Sequence, residues 1–299
     1  MLLRLIEVIL PVLICAGIGY GWARTGRPFD TRMVTRLVTN IGTPCLIVAT
    51  LTGLRLESDA FWTMTGAAFL SIFVFFVIAF ALTRLTGDDF RTYGPPLGFA
   101  NAGNLGLPLC LFAFGEPGLA LAIAYFAVGA VGQFTVGQFI VAGRFSLKTA
   151  VLSPVIWAIG LALALNSLDW PMPRALANAF ELLGGFAIPL MLIAMGVSLA
   201  SLRVSGLGKS LFYAVVRIAI GVAIGLGMGA ALDLPDLARG VLLIQCAMPA
   251  AVFNYLWASY YERNPEAVAG VVFVSTLLAF AVLPVIVAVA IDPGLLPWR

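Results

Sequence analysis

Apolar segments long enough to cross a lipid bilayer follow one another along almost the whole chain. A helix of about 20 apolar residues spans the hydrocarbon core. By this rule the sequence predicts ten transmembrane segments, joined by connections too short for a soluble domain. With 62% hydrophobic and 10% charged residues, the composition also favours a polytopic all-α membrane protein. The approximate segments are 5–22, 33–53, 61–83, 94–115, 118–142, 150–166, 176–200, 210–232, 238–261 and 266–291.

The residue types that are absent exclude several functions. The chain has no histidine, so the commonest general base and metal ligand is missing. Its four cysteines lie in apolar runs without metal-ligand spacing, and we interpret them as small buried side chains. The net charge of +3 is too weak and scattered for nucleic-acid binding. We therefore predict no catalytic residues, no metal site and no cofactor, and we exclude an intramembrane enzyme.

Basic residues are distributed unevenly between the two sets of predicted loops, which predicts the orientation of the chain. The richer set should face the cytoplasm, and both termini should then lie outside. The eleven residues of the richer set are Arg24, Arg27, Arg32, Arg36, Arg84, Arg91, Arg144, Lys148, Arg203, Lys209 and Arg263. The five residues of the poorer set are Arg4, Arg55, Arg174, Arg239 and Arg299, while Arg217 lies within the eighth segment.

The two halves of the chain resemble each other. Three prolyl motifs recur in the same order at nearly constant spacing, which predicts a first repeat over 1–142, a cytoplasmic connection over 143–149 and a second repeat over 150–299. Five crossings in each half would place the repeats in opposite topology, an arrangement typical of secondary transporters. The matched pairs are Pro11 with Pro154, Pro44 with Pro189, and Pro117 with Pro265.

The stretch 101–108, Asn-Ala-Gly-Asn-Leu-Gly-Leu-Pro, is unsuited to an unbroken helix in lipid. Pro108 removes a backbone hydrogen bond, while Gly103 and Gly106 weaken the helix and allow close approach to its backbone. Unpaired backbone groups are tolerated at membrane depth only inside protein or against a cavity. The stretch therefore predicts a helix break in mid-membrane. A kinked helix whose asparagines bind neighbouring helices remains the alternative.

The ninth segment carries the matching irregularity. Its stretch 245–254 contains Gln245, Pro249 and Asn254, and Pro249 aligns with Asn101 of the first half. The two breaks therefore need not be identical.

The motif Asn-x-Gly-Asn-x-Gly-x-Pro at 101–108 and the Ala-Met-Pro-Ala sequence at 247–250, supported by Pro44, resemble the auxin efflux carrier family of bacterial permeases and plant PIN-type carriers. The resemblance implies ten helices in two inverted five-helix repeats, with two broken helices crossing at Pro108 and Pro249. It also implies a homodimer in the plasma membrane, which is the bacterial inner membrane. Family members carry small organic anions such as malate, malonate or an auxin-like indole acid.

Broken half-helices direct the positive ends of their dipoles at the crossing, where amide donors could hold a carboxylate. Helix–helix bonding remains the alternative for the asparagines, bonding within the helix for Thr43, and snorkelling for the arginines. The predicted substrate-binding residues are Asn101, Asn104, Pro108, Pro249, Asn254, Asn40, Thr43 and Gln245. The predicted residues of the cytoplasmic mouth are Arg36 and Arg32.

These features favour a secondary transporter of small organic anions that works by alternating access. No carboxylate lies within 94–115 or 239–261, so we expect potential-driven export without obligatory proton coupling. A sodium-coupled symporter of the bile-acid-carrier type remains the main alternative, because neutral oxygens could bind a sodium ion. A membrane sensor without transport is disfavoured, because it would not need broken helices.

Overall fold

A computed structural model describes residues 2–53, 58–143, 153–168, 171–202 and 206–295, and these parts of the chain are almost entirely helical. The first half comprises α1 (Leu2–Arg24), α2 (Thr31–Leu37), α3 (Thr43–Gly53), α4 (Ser58–Thr86), α5 (Phe90–Gly98), α6 (Leu107–Gly132) and α7 (Gln138–Ala142). The second half comprises α8 (Pro154–Ser167), α9 (Arg174–Gly185), α10 (Ala187–Ser201), α11 (Leu207–Ala231), α12 (Asp236–Ala247), α13 (Val252–Tyr260) and α14 (Pro265–Ile291).

Within the described ranges, seven helical stretches are long and apolar enough to cross a membrane. The longest, Ala102–Ala142, is not one straight rod. Gly115 within it has φ +68° and ψ −161°, a conformation that glycine adopts far more readily than other residues. The helical run is therefore interrupted where the sequence predicted the fourth segment to end.

Two π-helical turns each precede a proline. The turn Val38–Gly42 comes before Pro44, and the turn Ala102–Gly106 comes before Pro108. A proline has no N–H to donate, and its ring clashes with the carbonyl four residues back, so the preceding turn widens. A third π turn, Gln133–Gly137, has no such proline. Turns of this kind occur frequently at functional sites.

The helices pack in two groups. In the first group α1 contacts α10, and α3 contacts both α8 and α9. In the second group α4 contacts α5 and α6, while α11 contacts α12 and α14. The polypeptide between α5 and α6 and that between α12 and α13 lie at the centre, where the two halves of the chain meet.

Close backbone contact joins α1 to α10 in the first group. A Cβ atom added to Gly196 would lie 2.0 Å from the carbonyl oxygen of Ala16, and one added to Gly19 would lie 2.0 Å from that of Ile193. Small residues that allow helix backbones to approach are typical of membrane helix packing. These glycines therefore fix the distance between the two helices.

Five of the basic residues whose distribution predicts the orientation lie outside the described ranges, as does most of the predicted connection at 143–149. They are Arg55, Arg144, Lys148, Arg203 and Arg299.

Candidate functional site

The interruption between α5 and α6 meets the interruption between α12 and α13. Ala100 and Ala250 form an isolated antiparallel bridge, and the Asn101 N–H donates to the Pro249 carbonyl over 2.7 Å. Backbone groups that leave a helix at membrane depth need partners within the protein. Here each interrupted helix supplies partners to the other, and the Asn101–Pro249 pair matches the alignment of the two halves.

The crossing does not lie at Pro108, and this part of the sequence prediction is wrong. Pro108 lies inside a continuous helical run, because α6 follows the π turn Ala102–Gly106 without a break. The extended residues lie earlier, around Asn101. At the crossing Asn101 supplies the N–H and Pro249 the carbonyl, so Pro249 lies where the sequence predicted and Pro108 does not.

A chain of buried amides supports the crossing from one side. The Asn254 amide nitrogen donates to the Phe99 carbonyl, and the Gln133 amide nitrogen donates to the Asn254 side-chain oxygen, each over 3.2 Å. Asn254 is only 2% exposed. It therefore satisfies the end of α5 rather than facing an open space.

A cavity of about 80 Å³ lies against the crossing, and we call it the crossing cavity. Asn101, Asn104 and Thr43, three of the predicted substrate-binding residues, line it, and so does Gln133. Its walls are otherwise mostly apolar. The aromatic members of the lining are Phe99, Tyr125, Phe126, Phe134 and Phe253. Their sequence spacing does not distinguish them from ordinary core residues.

A second cavity of about 250 Å³, the vestibule, adjoins the first. Asn104 and Thr39 line both cavities, so the two spaces share a boundary. Arg32 lines the vestibule with hydroxyl groups that include those of Thr35 and Ser198. The assignment of Arg32 to a cytoplasmic mouth stays a prediction. Arg36 is exposed and lines neither space, so its predicted place in the mouth is not supported.

Other predicted site residues lie away from both cavities. Asn40 is exposed because one helical step turns it away from the face shared by Thr39 and Thr43. Gln245 is fully buried and packs against Gly106, where an added Cβ would lie 2.3 Å from its side-chain oxygen. Pro249 contributes its carbonyl to the crossing and does not line the cavities.

Comparison with known proteins identifies the family. The family model described as "Membrane transport protein" matches residues 4–146 and 138–287. The chain belongs to this family. The match confirms the resemblance to the auxin efflux carriers, and the transporter is accordingly not an enzyme.

Relatives of the transporter come from archaea and bacteria. An uncharacterized transporter of Methanothermobacter thermautotrophicus is 27% identical over 93% of this chain and 96% of its own. One from Methanocaldococcus jannaschii is 23% identical over the same shares. A Rhizobium meliloti protein named "Putative malonate transporter" is 26% identical over 75% of each chain.

Proposed function

We propose that this transporter carries small organic anions, such as malonate, malate or an auxin-like indole acid, around its two crossed helices. One observation carries the proposal. The crossing cavity combines amide groups with the N-terminal ends of two half-helices, and neither Asp nor Glu lines it. The similarity to a protein named for malonate transport supports a carboxylate as the substrate.

The helix ends explain why an anion would be favoured. The helical turn after Asn101 and α13 after Ala251 both begin at the crossing. The N-terminus of a helix carries about half an elementary positive charge, together with unpaired N–H groups. Asn104 lies within the first turn of the first of these ends, half-buried and open to both cavities. A carboxylate seated there would accept hydrogen bonds from the amide and the backbone.

We also propose ten membrane crossings in two inverted repeats, over 1–142 and 150–299. The helix contacts support a two-fold relation, because the pairing of α1 with α10 is matched by that of α8 with α3. The pairing of α4 with α5 is matched in the same way by that of α11 with α12. The charge bias would place both termini outside the plasma membrane, with the vestibule open to the cytoplasm. The family resemblance favours a homodimer.

Potential-driven export is the coupling we propose. Moving one elementary charge across about 100 mV is worth about 2.3 kcal/mol, and a negative interior drives an anion outward. The described linings of both cavities offer no carboxylate to carry a proton. Coupling to sodium would instead drive the anion into the cell. The flux measurement described next distinguishes the two couplings.

The experiment measures flux of radiolabelled malonate, malate and indole-3-acetate in proteoliposomes with a clamped potential. We expect at least one of them to move with the potential when proton and sodium gradients are absent. Asn104→Ala should abolish most of this flux, whereas Asn40→Ala, which removes an exposed amide that lines neither cavity, should not. Flux that ignores the potential and follows a sodium or pH gradient would refute export. Absence of flux for every organic anion would refute the substrate class.

A further inference from the structure

Arg217 lies in the middle of α11 and is completely buried. Its guanidinium group stacks on the Phe75 ring at 4.2 Å, and Nη2 donates to the Cys246 carbonyl over 3.1 Å. The side chain therefore does not snorkel to the membrane surface, which the sequence left open. Within the described chain, Nε and Nη1 have no hydrogen-bond partner.

The carbonyl that Arg217 binds lies at the C-terminal end of α12, next to the crossing. A helix C-terminus carries about half an elementary negative charge. The full positive charge of an arginine more than offsets this. The Cys246 sulfur also lies 3.6 Å from the hydroxyl oxygen of Tyr125. Tyr125 in turn lines the crossing cavity. The arginine is thus separated from the cavity by a thin layer of side chains.

The C-terminal end of α5, the other helix that ends at the crossing, has no charged side chain bound to it in the described residues. The Phe99 carbonyl after α5 receives the neutral amide of Asn254. In the described residues the ion pairs are Lys209 with Asp88 and Arg239 with Asp233, and neither involves Arg217. One of the two negative helix ends is therefore neutralised by a whole charge, and the balance at the crossing is positive.

We propose that Arg217 sets the preference of the crossing cavity for anions, acting from behind α12 without touching the substrate. This inference rests on the proposed transport of organic anions. A charge buried in a medium of low polarity acts over longer distances than one in water. Arg217 therefore raises the affinity for a ligand in proportion to the ligand's negative charge, and it is a specificity-determining residue.

The test compares two ligands that differ by one charge, malonate and its monoamide, by calorimetric titration of the purified transporter. The measured quantity is the ratio of their dissociation constants within each variant. We expect Arg217→Gln to reduce the preference for malonate about tenfold, because the glutamine side chain carries no charge. Arg217→Lys should retain most of the preference. Arg239→Gln, which removes a paired arginine at the other end of α12, should leave the ratio unchanged.

A second variant neutralises Arg217 without removing it. Ser71 is buried on α4, one turn from Phe75, whose ring contacts Arg217, so Ser71→Asp would add a carboxylate on the helix face that packs against the guanidinium group. Ser71→Asp should lower the preference for malonate over its monoamide, as Arg217→Gln does. It serves as the test if Arg217→Gln does not fold. A wild-type ratio in Ser71→Asp or in folded Arg217→Gln would overturn the inference. Failure of the wild-type protein to bind any carboxylate would instead overturn the proposed function.

Discussion

At the scale of single residues, the asparagines at the crossing have different roles. The Asn101 side chain contacts the Met195 sulfur at 3.5 Å, and the Asn254 amide is fully engaged with the Phe99 carbonyl and Gln133. Asn104 has no side-chain partner among the described residues and reaches both cavities. Asn104 is therefore the amide available to a substrate, while Asn254 maintains the site.

Alanine substitutions should separate these roles. Asn104→Ala should weaken carboxylate binding roughly tenfold, because about 1–3 kcal/mol is lost when a polar partner is left unpaired. It should leave the melting temperature unchanged, because the Asn104 side chain has no partner among the described residues. Asn254→Ala should lower the melting temperature, because it removes one of the two donors to the Phe99 carbonyl and leaves the buried Gln133 amide nitrogen without its acceptor. Calorimetric titration and thermal unfolding measure the two effects. Wild-type affinity in Asn104→Ala would show that the substrate binds elsewhere.

Substitutions of Arg32 and Arg36, the two arginines predicted for the mouth, should differ in their effect on the rate of substrate capture. Arg32→Gln should slow substrate capture and reduce the dependence of the capture rate on ionic strength, because a charge lining the vestibule attracts anions. Arg36→Gln is the control, since Arg36 is exposed and lines neither cavity. Rates are measured by stopped-flow binding at several salt concentrations. Equal effects in the two variants would indicate a general surface potential instead of a mouth.

The residues of the site were partly predictable. Amides, glycines and prolines are conspicuous in an apolar segment, so the sequence pointed to Asn101, Asn104 and Thr43, which line the cavity. The sequence could not show that Gln245 turns toward Gly106 or that Gln133 reaches the cavity. The positions of these two side chains depend on how segments from opposite halves of the chain pack against each other. The local sequence pattern does not determine that packing.

At the scale of helices, the structure depends on close contacts that no motif indicates. Gly196 of α10 faces the Ala16 carbonyl of α1, whereas Gly17 on α1 has open space around its Cβ position. Both are glycines in apolar helices, so sequence alone does not distinguish them. The predicted apolar segments are helical where the structure describes them, and seven helical stretches are long and apolar enough to cross a membrane, because apolar length is a local property.

Alanine substitutions at Gly196 and Gly17 provide a matched test of helix packing. Gly196→Ala should lower the free energy of unfolding by about 1–3 kcal/mol, because the added methyl group must push two backbones apart. Gly17→Ala should change it little or raise it slightly. Urea unfolding in detergent, followed by tryptophan fluorescence, measures both. Equal stability of the two variants would mean that the helices can separate without cost.

A polar clamp joins the loop after α4 to the start of α11. Asp88 accepts hydrogen bonds from Lys209 and, over 2.8 Å, from the Tyr213 hydroxyl. The hydrogen bond from Lys209 is the main reason that the pKa of Asp88 lies below its ordinary value. A lowered pKa means that the carboxylate stabilises the fold above the pKa of the unfolded chain, and that this contribution is lost as pH falls through the folded value.

Asp88→Asn should therefore be less stable than the wild type near neutral pH. The difference in melting temperature should shrink as pH falls from about 4, the pKa of an aspartate in the unfolded chain, toward the lower pKa of folded Asp88. Asp89→Asn is the control for the same loop, although Asp89 also caps α5. Thermal unfolding from pH 3 to 7 measures the trend. A pH-independent difference would mean that Asp88 does not act through its charge.

At the scale of the whole molecule, orientation decides which compartment the vestibule serves. Thr25 follows α1 on the arginine-rich side, and Leu295 lies near the C-terminus, and both are exposed. In a background without native cysteines, Leu295→Cys should react with an impermeant thiol reagent in intact cells. Thr25→Cys should react only after the membrane is opened. The reverse pattern would invert the orientation and, with it, the direction we propose.

The bridge between Ala100 and Ala250 also constrains how the molecule can move. Because main-chain bonds tie the two interruptions together, a conformational change that turns the cavity toward the opposite side must carry both as one body. The surface on which that body slides would then lie against α10, where the Asn101 amide meets the thioether of Met195. Thioethers are weak acceptors on flexible side chains, so this contact can break and reform at little cost.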